Sequence, residues 1–301
     1  MDTRQVLLVD AFASEPLSGV PVAVLPDGEG VGSRQLRRVA GEFGTDGTVA
    51  LSDGSLQCAG TDGFVAGAVA GCVGLIERGH IDAGTHTMTV AGGDDQADED
   101  GWAAGEREVE IDSDRTVRVP LPDQPGETNP ATTDEIAGAL GIDVASLDDV
   151  SADLPAGLVE AHGGTLVTPV NFLEHLQRAE PVGSDLSSLL ADVGATRLCA
   201  FTFDTLGVGT DLHARFFEAT GRERPASGIA AGACGAHLSR NPVFDDDRES
   251  VRIECGYLQE RPGTVVTTLA EQPRVGGNAL TVLDGDLTLP PDDSEDEIIE
   301  L

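Results

Sequence analysis

The chain has 301 residues, 53 acidic against 18 basic, and a formal net charge of -35. All 18 basic residues are arginine, which excludes Schiff-base, pyridoxal-phosphate and Walker-A chemistry, since each needs a lysine amine. The same charge repels phosphate backbones and anionic lipid, so neither nucleic acid nor a membrane surface is an expected partner.

Acidic chains poor in aromatics can be disordered. Here apolar runs such as Val6-Leu7-Leu8-Val9 and Val265-Val266-Thr267-Thr268-Leu269 recur and predict a folded chain. Asp and Glu in place of Lys suit a salt-filled cytoplasm, where the Debye length shrinks to ~3 Å at 1 M. Cys58, Cys72, Cys199, Cys234 and Cys255 are odd in number and widely spaced, a pattern of neither a disulfide framework nor a zinc site. Cys72 and Cys234 are expected as buried packing residues. The opening residues carry no basic, apolar stretch, so no targeting segment is expected, and the longest apolar stretch, Phe64 to Ile76, is shorter than the ~20 residues a membrane span needs. A soluble, cytoplasmic protein is expected.

In chain order, Gln5–Phe12 reads as a buried strand, followed by a turn at Glu15-Pro16-Leu17-Ser18-Gly19 and a strand at Pro21–Leu25. Ser33 is expected to cap a helix from Arg34 to Phe43 that Gly44 ends. Val49–Leu51 and Leu56–Cys58 predict a hairpin around Asp53-Gly54. A helix of small and apolar residues covers Phe64–Arg78, with strands at His86–Val90 and Val109–Pro120 beyond it. Between those strands Gly92–Glu106 reads as an acidic loop, and Leu121–Ala131 as a linker. Thr132 and Glu135 form a capping box for a helix stopped by Gly141. Strands at Leu158–Ala161 and Thr165–Pro169, a helix near Leu186–Asp192, and strands at Leu198–Phe203 and His213–Glu218 lead to a second small-residue helix. Two or three strands close the chain between Arg252 and Leu289, before an acidic tail.

The two small-residue helices share one pattern, G-x-x-A-G-x-x-G, at Gly67–Gly74 and Gly228–Gly235. Each helical Gly costs ~1 kcal/mol relative to Ala, so three per helix imply compensation by close packing against surrounding backbone. A duplicated design, with a sheet wrapped around each helix and a ligand cleft between two lobes, is one reading. Two unrelated Gly/Ala-rich helices are the other. The residues contain no G-x-S-x-G, H-E-x-x-H or EF-hand motif. The six histidines are scattered and read as structural, and no single carboxylate stands out among so many.

Val9-Asp10-Ala11-Phe12 followed by Pro16-Leu17-Ser18-Gly19-Val20-Pro21-Val22-Ala23-Val24 resembles the N-terminal signature VDAF…PFSGNPAAV of the PhzF-like proteins of phenazine biosynthesis. The resemblance runs on through Gly67–Gly79, Arg215-Phe216-Phe217, Glu223–Gly228, Arg261-Pro262-Gly263 and Gly276–Ala279, in order, from about residue 5 to 289. It implies an α+β, diaminopimelate-epimerase-like fold of two pseudo-symmetric lobes, each a mostly antiparallel sheet curled around its small-residue helix. The lobes are expected at 1–125 and 126–289, with the tail at 290–301. It further implies isomerase chemistry on a small carboxylate in the cleft without metal or organic cofactor, and a homodimer.

Carried over residue by residue, the family's S-E-T glutamate falls on Asp46 as general acid and base. Asp is one methylene shorter, ~1.5 Å, and a 1 Å error can cost ~100-fold in rate. Asp46-Gly47 is also a common turn dipeptide. Substrate contacts are implied for Ser18, Gly19, Gly67, Ala68, Arg224, Ser227 and Gly228. The family's C-G-H-A-T segment is Ala66-Gly67-Ala68-Val69-Ala70 here, and its E-D-P-x-T-G-S segment is Glu223-Arg224-Pro225-Ala226-Ser227-Gly228-Ile229. Two readings stay open. Either an isomerase uses Asp46 while Arg224 binds the substrate carboxylate, or the cleft only binds, with Arg224 paired to Asp46.

Overall fold

The computed structural model describes residues 2–59, 64–90, 105–122, 131–151, 153–241, 243–245 and 247–290. Most of the acidic loop at 92–106, of the linker at 121–131 and of the tail from 290 lies outside them. The first half contains β1 (Asp2–Ala11), β2 (Val20–Leu25), α1 (Ser33–Phe43), β3 (Thr48–Ser52), β4 (Ser55–Ala59), α2 (Phe64–Glu77), β5 (Gly84–Val90), β6 (Gly105–Ile111) and β7 (Val117–Pro120). The second contains α3 (Thr133–Leu140), α4 (Ala145–Ser151), β8 (Gly157–Val159), β9 (Thr165–Pro169), α5 (Leu173–Gln177), α6 (Gly183–Val193), β10 (Arg197–Thr202), β11 (Leu212–Glu218), β12 (Glu223–Arg224) and α7 (Gly228–Arg240). Four strands follow: β13 (Ser250–Cys255), β14 (Gly263–Thr268), β15 (Arg274–Gly277) and β16 (Ala279–Leu289).

Among the described residues all strands join one mixed sheet, in the order β16-β1-β2-β3-β4-β5-β6-β7-β15-β14-β13-β11-β10-β9-β8, with β12 on β11. β7 and β15 pair antiparallel and weld the halves together. The last strand returns to the first half, where β16 runs antiparallel to β1 from Asp2 opposite Leu289 to Ala11 opposite Ala279.

The sheet curls around α2 and α7, which share the largest core cluster. Both helices are buried all round, α2 from Phe64 to Leu75 and α7 from Gly228 to Leu238, as expected of a helix surrounded by protein. Their glycines explain the close fit. A Cβ on Gly71 would stand 2.7 Å from Val49 Cγ1, and one on Gly235 would stand 2.7 Å from the Thr268 carbonyl oxygen. On the outer face α1 covers β2–β4 through Leu36 and Val39. Helices α3 and α6 cover β9 and β10 through Ile136, Leu140, Leu186 and Leu190. Strand β1 buries both faces, with Leu7 and Val9 toward α2 and Val6 toward α1.

Several sequence expectations need correction. Val109–Pro120 is not one strand but two, β6 and β7, because Ser113-Asp114-Arg115 turns the chain. Arg115 takes a left-handed φ of 67° there, and Asp114 Oδ1 accepts the Thr116 N–H at 3.0 Å. Helix α1 is capped by Gly32 rather than Ser33, since Gln35 Oε1 accepts the Gly32 N–H at 3.1 Å. Helices α4 and α5 carry no apolar period long enough to announce them. The Thr132–Glu135 capping box forms as the sequence predicts. All five cysteines are free and buried. No helix among the described residues is long and apolar enough to cross a membrane.

Candidate functional site

A cavity of about 510 Å³ opens where the two halves meet. The first half contributes Val20 at the start of β2, Asp46 between α1 and β3, and Ala66 near the start of α2. The second half contributes the ends of β10 and β11, the β11–β12 turn, β12 and the first turn of α7. The N-terminal turns of α2 and α7 meet beside it. A Cβ on Gly228 would stand 2.5 Å from Val65 Cβ, so only glycine allows that approach.

Asp46 reaches the cavity because α1 stops sharply. Gly44 takes a left-handed φ of 63° as the C-cap, and Thr45 donates its N–H back to the Ala40 carbonyl at 2.9 Å. The Asp46 N–H is tied to the Pro21 carbonyl at 3.2 Å, which fixes the backbone beneath the carboxylate. Its Oδ2 contacts Arg224 Nη2 in an ion pair, with only 14% and 8% of the side chains exposed. Arg224 Nη1 also lies 3.4 Å from Glu218 Oε1. A guanidinium that bridges two carboxylates in a half-dry pocket is held by charge and by its fork geometry.

The first turn of α7 forms the adjoining wall. Ser227 is its N-cap, and its hydroxyl oxygen accepts the Ala230 N–H at 3.2 Å. The partial positive charge of a helix N-terminus therefore faces the same space. Val20, Ala66, Ala226 and Ile229 add apolar surface to the lining.

Of the residues the sequence singled out, Asp46, Arg224, Ser227 and Gly228 line this cavity together. Ser18, Gly19, Gly67 and Ala68 are not among its lining residues. Ser18 Oγ donates to the Glu15 carbonyl at 2.6 Å, and the Gly19 N–H bonds the Pro262 carbonyl at 3.1 Å. Arg261 ties this corner together, donating to Asp10 Oδ1, the Ser18 carbonyl and the Gly19 carbonyl, each at 2.8 Å. The N-terminal signature thus builds a joint between β1 and the β13–β14 connection. Gly67 is closed off by Cys58 Sγ, 2.9 Å from where its Cβ would be, and Ala68 is fully buried.

Sequence reasoning missed Arg197, Glu218, Thr196, Thr220 and Arg222 as lining residues. A signal existed for Arg222. In Arg222-Glu223-Arg224, a period of two puts both arginines on one face of a strand. Arg197 and Glu218 become neighbours only through the β10–β11 register, which places them opposite each other. No cysteine lines the cavity, and burial pushes the Cys72 thiol up to about 12. That keeps the Cys72 thiol protonated at neutral pH.

No protein-family profile matches the chain. It is 26% identical over 287 residues to an uncharacterized isomerase, YfhB, of Bacillus subtilis, covering 90% of this chain and 92% of the relative. It superposes on the phenazine biosynthesis protein of the PhzF family from Bacillus anthracis with a TM-score of 0.77 at 22% identity, covering 96% of this chain and all of the other (100%). A predicted epimerase from Pseudomonas aeruginosa gives 0.69 at 18% identity, covering 94% and 99%. The resemblance carried by the sequence motifs holds in three dimensions: the chain has the fold of the PhzF-family proteins.

Proposed function

We propose that this chain is an isomerase that moves a proton within a small carboxylate substrate, in the cavity between its two lobes and without a cofactor. The position of Asp46 carries this reading. The residue aligned with the family's catalytic glutamate lies on the wall of a ligand-sized cavity, beside a helix N-terminus and an arginine. The isomerase name of the Bacillus subtilis relative agrees with it.

In this reading the Asp46 carboxylate takes a proton from a carbon of the substrate, and the C–H electron pair moves into the adjoining unsaturated system. The same carboxyl group then returns the proton to a different carbon, so atoms and electrons balance without an oxidant or reductant. Arg224 and the first turn of α7 offset the negative charge that develops. General acid–base catalysis of this kind contributes roughly 10²–10⁴-fold. The absence of lysine and the net charge of -35 support a salt-rich working environment.

The test is solvent deuterium incorporation followed by NMR, in multimolar potassium chloride, with cyclic dihydroanthranilate-type acids and amino acids as candidates. Uptake that disappears in Asp46→Asn supports the reading, and uptake that persists in that variant overturns it. One observation favours a second reading. Asp46 and Arg224 already satisfy each other as an ion pair, as in a cleft that binds a small molecule or partner without chemistry. Absence of uptake from every candidate, with the protein folded, favours that alternative.

A further inference from the structure

The cavity carries three guanidiniums, those of Arg197, Arg222 and Arg224, against two carboxylates, those of Asp46 and Glu218. Their surroundings differ. Arg224 touches Asp46 and lies close to Glu218. Arg197 is buried, gives Nη1 to the His162 carbonyl at 2.6 Å and stands opposite Glu218 in the β10–β11 ladder. Arg222 is exposed at the rim.

The segment that presents Arg222 is held firmly. Glu223, between the two arginines, faces away from the cavity. Its Oε1 and Oε2 accept from Arg215 Nε at 2.8 Å and Nη2 at 2.7 Å, and Arg215 also donates to the Leu176 and Ala179 carbonyls at 2.7 Å. The β11–β12 turn is closed by the Glu218 N–H to the Arg222 carbonyl at 2.9 Å. The Thr220 hydroxyl accepts the Arg222 N–H at 3.3 Å. Gly221, left-handed at φ 83°, leaves room for Gly183 behind the turn; a Cβ there would stand 3.0 Å from the Gly183 Cα.

We infer that Arg222, on this braced turn, is the docking group for the ligand's carboxylate, and that Arg224 is a positioning residue for Asp46. The inference rests on the isomerase reading for the role of Asp46. A carboxylate that docked on Arg224 would compete with Asp46 for the same fork and drag the acid/base group out of place. Docking on Arg222 leaves that pair intact, puts the charged end at the wet rim beside the Thr196 and Thr220 hydroxyls, and lets an apolar body lie against Val20 and Ile229. The ligand class is a small ring or chain with one anionic end.

Benzoate and its neutral isostere benzamide are the probes, titrated by ligand-observed NMR at one fixed potassium chloride concentration. The wild type should hold benzoate at least ~10-fold more tightly than benzamide, or ~1.4 kcal/mol. Arg222→Gln should equalise the two while benzamide binding stays as it was, and Arg222→Lys should keep part of the preference. A wild type with no preference, or with no binding of either probe, overturns the inference. So does a full preference in Arg222→Gln. These titrations read binding alone, so an Arg222-dependent preference without deuterium uptake from any carbon acid would sink the isomerase reading and leave the docking assignment standing.

Discussion

Replacing Gly228 by Ala tests how closely the two central helices meet. The added methyl carbon would stand 2.5 Å from both Val65 Cβ and Cγ1, and 3.0 Å from Cγ2. Comfortable carbon–carbon contact is ~3.5–4.0 Å, so the encroachment is about 1 Å against a β-branched side chain with one good helical rotamer. Overpacking of this size costs ~1–3 kcal/mol. Gly→Ala in a helix returns up to ~1 kcal/mol, but Gly228 is the first helical residue and recovers only part of it. The expected net loss is ~1–2 kcal/mol. Val65→Ala alone removes two buried methyl groups and should cost ~2 kcal/mol. In the double variant the contacts with Cγ1 and Cγ2 are gone while that with the Val65 Cβ remains, so the loss should fall about 1 kcal/mol short of the sum. Urea titrations of all four proteins at one potassium chloride concentration provide the measurement. Additivity within ~0.5 kcal/mol would refute the close approach of α2 and α7.

Burial, and then the charges of Arg197 and Arg107, push the His162 imidazole from 6.5 down to about 4. As pH falls through that window the unfolded chain gains a proton that the folded chain refuses. Stability should therefore fall by up to ~3 kcal/mol between pH 6.5 and 4 and level off below. His162→Asn, which tolerates the left-handed φ of 53°, should flatten that part of the curve; an unchanged slope refutes the assignment. Glu223→Gln weakens the buried bidentate pair with Arg215 and should cost ~3 kcal/mol. Amide exchange in the β11–β12 turn should then quicken, and unchanged protection there would show that the pair does not brace it.

The centre of the fold was readable because its constraint is steric and local. Repeated glycines at Gly67, Gly71 and Gly74 and at Gly228, Gly232 and Gly235 make sense only where something presses against a helix on that face; Val65 of α2 does so at Gly228, and the surrounding strands and their flanks do so at the others. Turn chemistry was readable for similar reasons. Asp53-Gly54 take positive φ angles of 50° and 75° in the β3–β4 hairpin, and Gly141 ends α3 as its left-handed cap. The site was half readable. Asp46 and Arg224 are 178 residues apart, and no local pattern joins them; alignment with a family motif did. Arg197 and Glu218 were invisible because a ladder register between β10 and β11 brings them to one wall. Ser18 and Gly19 show the reverse case, in which a conspicuous motif turns out to be spent on internal hydrogen bonds with Arg261.

The return of β16 to β1 fixes the order in which this molecule can be completed on the ribosome. Among the described elements, the strand synthesised first waits for the one synthesised last. Until then the outer edge of β1 is a row of open N–H and C=O groups, the kind of edge on which foreign strands add. Closing so long a loop costs little at equilibrium, because the entropy grows only with the logarithm of its length, but such distant pairing is slow to find. Once in place, β16 becomes the edge itself and carries Asp284 and Asp286, charges that discourage further addition. The first half of the chain cut off before β16 is therefore an unfinished sheet with an adhesive border, and its folding belongs to the whole polypeptide.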